Sequence, residues 1–400
     1  MRPDAPVDAR TGLSAARFGL YVHFPFCLSK CPYCDFASVA APKIPQERYT
    51  AALVAELEAR VASLPRAVVV ESVFIGGGTP SLWEPALVAR FLEVAARRLT
   101  FASGCELTLE ANPGAADAQR FADFRAAGLN RLSIGVQSFE AQTLTVLGRA
   151  HDGPTARRAA DTAHEAGFDN LSLDFIYGVP GQTVSQVEAD AHAAVALGPT
   201  HLSAYALTLD RASLAEDVPM AKALGRGELE LPPDETVLEM QRAVARVYAS
   251  AGLTRYEVSN YARPGLHSRH NALYWTGGEY LAVGVGATGT LVKGGRRRRY
   301  TNLRGAEAYL KAVEHRTLPE AGHEDLGDLE LFEERVAMGL RLTTGVALEA
   351  VCRDFGQPFE PRRRVVEQLV ATGFARWQGD RLALTDAGFD VHSAICARLM

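Results

Sequence analysis

Between about residues 20 and 208, short apolar runs alternate with longer stretches in which apolar residues recur every three or four positions. The short runs predict buried strands, and the longer spacing predicts helices that pack on them. The helical spacing is clear at Tyr49, Leu53, Leu57 and Val61. The predicted strands are Leu20–Phe24, Ser72–Ile75, Glu106–Glu110, Arg131–Val136, Leu171–Phe175 and His201–Leu207.

A strand followed by a helix, repeated about six times, predicts an α/β fold with a parallel sheet and crossover helices. An open doubly wound sheet and a partial (β/α)6 barrel both fit this pattern. In either case ligands bind at the carboxyl ends of the strands. After residue 208 the alternation stops, and the last part of the chain is predicted to be mostly helical. The expected domains are a tail at 1–17, a barrel with an extension at 18–304, and a C-terminal domain at 305–400.

The segment from Arg363 to Leu399 has the pattern of a helix, a short hairpin and a helix, which is typical of the end of a winged-helix unit. Such units often bind DNA. This segment lacks a dense basic face, so a packing module is the favoured interpretation.

Composition narrows the class of protein further. About half of the 400 residues are hydrophobic and the formal net charge is -5, so we expect a large core and no general attraction to nucleic acid. No apolar run is long enough for a transmembrane helix, and the first fifteen residues do not have the pattern of a secretory signal. We therefore expect a cytoplasmic protein. Peripheral membrane contact stays open.

Residues of unusual chemistry stand at the ends of the predicted strands. Because parallel strands end at one edge of a sheet, these residues are expected to meet along one rim. Packing alone does not readily explain so many of them in register. They are Cys27, Cys31 and Cys34 after the first strand, Gly76, Gly77, Gly78 and Thr79 after the second, and Glu110, Gln137, Asp174 and Tyr205 at the other four.

Three cysteines lie within eight positions, in the array Cys27-Leu-Ser-Lys-Cys31-Pro-Tyr-Cys34. Three thiolates on one loop can bind three irons of a cubane and leave the fourth iron open to a chelating ligand. Structural zinc usually takes four ligands, so it fits less well, although His23 is nearby. A redox dithiol would leave one cysteine unexplained. We expect buried small hydrophobic side chains at the scattered Cys105, Cys352 and Cys396.

The array directly after the first strand resembles the signature of the radical SAM superfamily. Its flanks, Tyr21-Val-His-Phe-Pro-Phe-Cys27 and Cys31-Pro-Tyr-Cys34-Asp-Phe36, resemble the oxygen-independent coproporphyrinogen III dehydrogenase family. Within that family they are most similar to the heme-chaperone branch, HemW. The resemblance covers about residues 18 to 390. It implies a [4Fe–4S] cluster on the three cysteines and S-adenosylmethionine on the open iron.

The resemblance also implies an S-adenosylmethionine site along the strand ends. Glycines there let backbone groups approach the ligand without a Cβ. For each polar residue taken alone, a structural ion pair or a helix cap is the alternative. The residues implied are Tyr21 and Tyr33 beside the ligand, Gly77, Gly78 and Thr79 at its methionyl group, Glu110 and Gln137 at strand ends, Arg149 for its carboxylate, and Asp174 for its ribose hydroxyls.

A second motif, His270-Asn-Ala-Leu-Tyr274-Trp275, resembles the H-N-x-x-Y-W motif of the chaperone branch. The resemblance implies that this motif serves heme binding, and by its chemistry His270 is the candidate axial ligand, with Tyr274 and Trp275 as candidate walls of a flat apolar pocket. The alternative is a hydrogen-bonded core histidine in a packed aromatic cluster.

The basic run from Arg296 to Arg299 has three interpretations: a solvated hairpin, a contact to porphyrin propionates, or nucleic acid binding, which the net negative charge disfavours.

One position separates the chaperone branch from the dehydrogenase. Phe36 stands where the dehydrogenase has a further cysteine, and only about twenty residues precede the first strand, where that enzyme has an extension. We therefore expect a heme chaperone that serves an apo-hemoprotein acceptor and takes electrons from a flavodoxin or ferredoxin-type reductant. The alternatives are the dehydrogenase itself, or a cluster-containing winged-helix regulatory protein, which the rim residues disfavour. No catalytic residue is assigned.

Overall fold

The computed structural model describes residues 18–115, 118–210, 214 and 218–400, so the predicted tail at 1–17 lies outside the described residues. Strands alternate with helices, and most strands join one large sheet. The strands, numbered along the chain, are β1 (Phe18–Phe24), β2 (Phe26–Cys27), β3 (Val39–Ala40), β4 (Val69–Gly77), β5 (Thr100–Ala111), β6 (Arg131–Gln137), β7 (Asn170–Tyr177), β8 (His201–Ala206), β9 (Thr254–Arg255), β10 (Asn260–Ala262), β11 (Glu279–Val283), β12 (Thr288–Lys293), β13 (Arg296–Asn302), β14 (Glu320–Leu326), β15 (Ala375–Gln378) and β16 (Arg381–Leu384).

Helices cover the outer face of this sheet and build the C-terminal part of the chain. They are α1 (Gln46–Ala62), α2 (Pro85–Arg98), α3 (Ala118–Ala126), α4 (Ala141–Val146), α5 (Gly153–Glu165), α6 (Val184–Ala196), α7 (Pro219–Gly225), α8 (Asp234–Ser250), α9 (Arg269–Thr276), α10 (Ala306–Glu314), α11 (Asp328–Arg341), α12 (Leu348–Asp354), α13 (Glu360–Ala371), α14 (Asp386–Asp390) and α15 (His392–Leu399).

The large sheet has twelve strands in the order β14-β13-β12-β11-β1-β4-β5-β6-β7-β8-β10-β9. All six strands predicted from the sequence stand side by side at its centre, and each is parallel to its neighbour. The outer edge of β1 pairs with β11, and the outer edge of β8 pairs with β10. The six strands therefore do not close on each other, and the prediction of a partial (β/α)6 barrel is confirmed.

The crossover helices begin where the sequence provides caps. The side chain of Asp152 accepts a hydrogen bond from the backbone of Thr155 at the start of α5. Thr183 and Gln186 form a capping box at the start of α6. Each cap satisfies backbone N–H groups that have no partner inside the helix. Because these helices cover the sheet, β6 is buried along almost its whole length.

The C-terminal part has its own hydrophobic cluster, which runs from Leu326 to Leu399. There α13 is followed by the hairpin of β15 and β16 and then by α14 and α15, so the predicted order of helix, hairpin and helix is confirmed. Tyr309 and Leu310, in α10, belong instead to the cluster of the barrel. The domain division at residue 304 stays a prediction. Among the described residues, no helix is both long and apolar enough to cross a lipid bilayer.

Candidate cofactor site

The three cysteines lie on a loop that is closed at its base. The loop leaves the barrel through β2 and returns through β3, which pair with each other in parallel. His23 Nε2 lies 3.0 Å from the carbonyl oxygen of Ala37 and therefore donates to it. Cys27 is buried, whereas Cys31 and Cys34 are partly exposed. The base of the loop is thus fixed to β1.

None of the three thiols forms a disulfide. Burial raises the pKa of Cys27 and of Cys34, and the neighbouring thiols raise it further, so protonated sulfur is favoured at these two cysteines. Iron or another soft cation would reverse that preference, because thiolates are the ligating form. Among the described residues, no three His, Cys, Asp or Glu side chains are arranged around one metal ion. In a cubane each thiolate binds a different iron, so the sulfurs need not converge on one point.

The glycine loop at the end of β4 runs directly beside the cysteine loop. The backbone N–H of Gly78 donates to Phe24 O (2.7 Å), and that of Thr79 donates to Phe26 O (2.9 Å). A Cβ on Gly78 would lie 2.8 Å from Phe26 O and 2.9 Å from Cys27 Sγ. Only glycine fits at this approach, because a real side chain would displace either the backbone or the thiol.

A chain of polar side chains joins the cysteine loop to the strand ends. Thr79 Oγ1 donates to Cys27 Sγ (3.5 Å) and accepts from Asn112 Nδ2 (3.0 Å). Arg149 donates from Nη2 to Asn112 Oδ1 (2.7 Å) and lies 3.5 Å from Cys31 Sγ through Nη1. Within the described part of the chain, Arg149 Nε is buried without a hydrogen-bond partner. Asn112 was not predicted as a site residue, although its place in Glu-Ala-Asn-Pro after β5 was a usable signal.

Two carboxylates line the same end of the barrel. Glu110 Oε2 accepts from the backbone N–H of Gly77 (3.0 Å). Asp174 accepts from Ser133 Oγ (2.9 Å) and from Ser172 Oγ (3.2 Å). Burial, and then the negative charge of Asp174, raise the pKa of Glu110 to about 7. These two carboxylates stand on β5 and β7, on either side of β6, and provide acceptors for a polar or cationic ligand.

The raised pKa of Glu110 predicts a stability effect with a definite sign. Above its unfolded pKa of 4.5, a carboxyl whose folded pKa is about 7 destabilises the fold progressively as pH rises to 7. Glu110→Gln should therefore stabilise the cluster-free protein at pH 8, by on the order of 1 kcal/mol after solvent screening, and change little at pH 4.5. Thermal unfolding at both pH values measures this. The exposed Glu93→Gln is the control, and equal shifts at both pH values would contradict the account.

Two further residues predicted to contact the ligand lie at the rim. Gln137, the last residue of β6, has a φ of 66°, a left-handed conformation that is rare outside glycine and that is often found at functional sites. Tyr33 packs with a small apolar cluster that includes Val218 and Met220. Burial raises the pKa of Tyr33, and the adjacent guanidinium of Arg149 opposes that rise.

Tyr21 and His270 lie deeper in the barrel. The hydroxyl of Tyr21 lies 2.9 Å from Nδ1 of His23, and its ring packs against those of Phe74 and His270. The ring nitrogens of His270 lie 2.9 Å from Ser72 Oγ and 3.0 Å from the hydroxyl of Tyr274. Burial lowers the pKa of His270 to about 3. This is the geometry of the alternative interpretation, a hydrogen-bonded histidine in an aromatic cluster.

His270 is also far from the cysteine loop. Its partner Ser72 lies near the start of β4, and Gly77 ends that strand. Five residues of extended chain separate the two by about 17 Å. Helix α9, which carries His270, therefore closes the end of the barrel opposite the cysteines. An axial-ligand role for His270 stays a prediction. It requires that one ring nitrogen give up its hydrogen bond to Ser72 or Tyr274, because iron binds an imidazole through a single nitrogen.

The basic run forms β13 and is largely paired. Arg298 donates to Asp325 (2.7 Å), and Arg299 donates to Glu324 (3.2 Å) and to Glu334. Arg297 is buried. The run is therefore one strand of a hairpin with β12, and it does not present an open basic surface.

The residues at this rim fit the cofactors that the resemblance implies. The donor set is three soft thiolates with no fourth protein ligand in the array. The adjoining backbone has no room for a Cβ at Gly78, and Arg149 keeps a buried donor unpartnered. The family model for the radical SAM superfamily matches residues 21–194, and the model for the HemN C-terminal domain matches residues 328–391.

Curated relatives match nearly the whole chain. The heme chaperone HemW of Escherichia coli is 38% identical over 375 residues, which cover 92% of this chain and 94% of that protein. The heme chaperone HemW of Mycobacterium tuberculosis is 36% identical, and the match covers 96% of this chain and 95% of that protein. The chain belongs to the HemW family. A mouse relative, radical S-adenosyl methionine domain-containing protein 1, mitochondrial, is 36% identical over 93% of this chain.

A solved structure supports the fold of this HemW-family chain. Coproporphyrinogen III oxidase (HemN) from Escherichia coli superposes with a TM-score of 0.80 over 98% of this chain and 92% of that one, at 20% sequence identity. The fold is thus shared, while at that identity the activity is not implied. In this chain Phe36, two residues after Cys34 in the cysteine loop, is 60% exposed.

Proposed function

We propose that the chain is a heme chaperone that binds heme, a [4Fe–4S] cluster and S-adenosylmethionine, and that passes heme to an acceptor hemoprotein. The observation that carries the proposal is the match to heme chaperones over nearly the full length of both chains. The rim supports it, because side-chain contacts link two of the cysteines through three polar residues, in the order Cys27, Thr79, Asn112, Arg149 and Cys31.

Cys27, Cys31 and Cys34 would hold the cluster, and the glycine loop with Arg149 would hold the methionyl part of S-adenosylmethionine. When bound, these groups supply one-electron chemistry at a sulfonium. Arg149 would orient the ligand, because a guanidinium can bind a carboxylate through two N–H donors. Asp174 has two oxygens for ribose hydroxyls, and Glu110 holds or releases a proton near neutral pH.

The proposal includes heme, an apo-hemoprotein acceptor and a flavodoxin or ferredoxin-type reductant, in a cytoplasmic setting. Heme would bind at or near α9, which carries Tyr274 and Trp275. That position lies at the other end of the barrel from the cluster. Heme and the cluster would then occupy separate sites, so heme binding would survive removal of iron and sulfide.

The test is a heme titration of the anaerobically reconstituted protein, with a parallel assay of coproporphyrinogen III in the presence of S-adenosylmethionine and reductant. We expect a stoichiometric Soret band and no protoporphyrinogen IX. Turnover of coproporphyrinogen III without heme retention would overturn the proposal in favour of the dehydrogenase.

A matched pair of variants tests the histidine ligand. His270 and His201 are both fully buried, and both ring nitrogens of each are hydrogen-bonded. If His270 binds iron, His270→Ala should shift the Soret band and weaken heme binding at least tenfold, whereas His201→Ala should not. Equal effects of the two variants would show that His270 acts only through the fold.

A further inference from the structure

A narrow cavity lies where the C-terminal unit meets α9. It is enclosed by α9, β13 and α11, and its walls include Tyr274, Arg297, Leu331, Arg335 and Met338. Tyr274 is the residue whose hydroxyl contacts His270. The cavity therefore adjoins the second motif, on the side that faces the C-terminal unit and away from the cysteine loop.

Arg335, on α11, is the unusual residue of this cavity. Its Nη1 is buried and has no hydrogen-bond partner in the part of the chain that the structure describes. The guanidinium packs directly over Gly277, which ends α9 in a left-handed conformation with a φ of 65°. A buried N–H donor of a charged group without an acceptor is costly, so such a group in a cavity wall points to a missing anionic or polar partner.

The charges around Arg335 do not supply that partner. Burial lowers the pKa of Arg335 to about 10, and the groups that lower it further, Arg297 and Arg381, are cations. The nearby acid, Glu334, lines the same cavity but pairs with Arg299. Arg297, itself buried, is influenced by Glu279 and Glu334. The cavity thus contains one guanidinium whose charge no neighbouring acid balances.

A second buried donor without a hydrogen-bond partner among the described residues lies where α9 contacts α11. This donor is Nε1 of Trp275, next to Tyr274 on α9. The guanidinium of Arg341, also on α11, stacks over the Trp275 ring at 4.3 Å and donates to Glu257. The contact between α9 and α11 therefore holds two unpartnered donors and apolar walls, which is the composition of a site for an amphipathic anion.

We propose that this cavity binds a carboxylate, with Arg335 as its main ligand and Arg297 as the second. The inference rests on the proposed function in one respect: the carboxylate in that case is a propionate of heme. A planar guanidinium suits a carboxylate because both can form two parallel hydrogen bonds, and Leu331 and Met338 suit the apolar body attached to it.

The first arm of the test uses the unaltered protein and two hemes. Hemin has free propionates, whereas hemin dimethyl ester has none. We expect the ester to bind about tenfold or more weakly, since a charge-assisted pair contributes roughly 1.5–3 kcal/mol and each 1.4 kcal/mol is tenfold. Equal affinities would overturn the assignment to propionate.

The second arm uses variants of Arg335. Arg335→Gln should lose most of the preference for hemin over its ester, and Arg335→Lys, which keeps the charge, should retain part of it. Arg353→Gln, on the exposed surface of α12, is the control and should behave as the unaltered protein. If Arg335→Gln weakens hemin and ester by the same factor, the residue has a structural role and the inference fails.

The third arm does not depend on heme. Sodium acetate, compared with sodium chloride at equal ionic strength, should raise the thermal midpoint of the unaltered protein but not that of Arg335→Gln. If acetate has this effect and hemin does not bind, the carboxylate site stands and the proposed function falls. If hemin binds, hemin and its ester bind equally, and acetate has no effect, the proposed function stands and the carboxylate site is refuted.

Discussion

Replacing any one of Cys27, Cys31 and Cys34 by alanine is expected to reduce the iron content after anaerobic reconstitution from about four atoms per chain to nearly none. The reason is geometric: each thiolate would hold a different iron, and the described rim offers no spare cysteine, since Cys105, Cys352 and Cys396 are buried elsewhere in the fold. Iron and sulfide analysis, with the electron paramagnetic resonance spectrum of the reduced protein, measures the loss.

The matched control is Cys352→Ala, in the hydrophobic cluster of the C-terminal part. It should keep the full iron content and lose only a little stability, because it removes one small buried group. Retention of four irons by any of the three loop variants, or loss of iron in Cys352→Ala, would contradict the assignment of the cluster ligands.

Gly78→Ala is expected to produce the second large effect. The new Cβ would lie 2.8 Å from a backbone oxygen of the cysteine loop and 2.9 Å from Cys27 Sγ, so the two loops must separate. We expect a loss of stability of roughly 1–3 kcal/mol, as for other overpacked sites, and a cluster that is lost to chelators much faster than in the unaltered protein. S-adenosylmethionine should then fail to change the spectrum of the reduced cluster.

Gly322→Ala is the control for this substitution. A Cβ at Gly322, in β14, meets nothing within 4 Å, and no left-handed φ is recorded there. It should leave stability and cluster lifetime unchanged. A Gly78→Ala protein with a normal cluster and normal response to S-adenosylmethionine would show that the close approach of the two loops does not matter.

The centre of the fold could be predicted because its strands are apolar and bounded by turns. The predicted segment Arg131–Val136 differs from β6 by one residue. The prediction for β5 began six residues late, at Glu106, because its first residues, from Thr100, are mostly exposed and lack an apolar pattern. Strand β13 was not predicted, because it consists largely of arginines and lacks an apolar pattern. Its side chains are held instead by acids on β14, about 25 residues further along the chain.

The rim of the site was predictable from motif spacing, whereas the contacts within it were not. The cysteine array and the glycines lie where expected, but the link from Thr79 through Asn112 to Arg149 depends on the register of three strands and a helix. The position of His270 depends on how α9 packs across the barrel beside Ser72, which lies about 17 Å from Gly77 along β4. Long-range packing of this kind leaves no local pattern in the sequence.

The central claim, that the chain hands heme to other proteins, is tested most directly by transfer from the heme-loaded, cluster-reconstituted protein to an apo-cytochrome under anaerobic conditions. The account predicts that the Soret band of the acceptor appears as that of the donor declines, faster than from an equal amount of free hemin in the presence of a heme scavenger. Heme that stays on the chain, or an acceptor that fills only at the rate seen with scavenged free hemin, would contradict it.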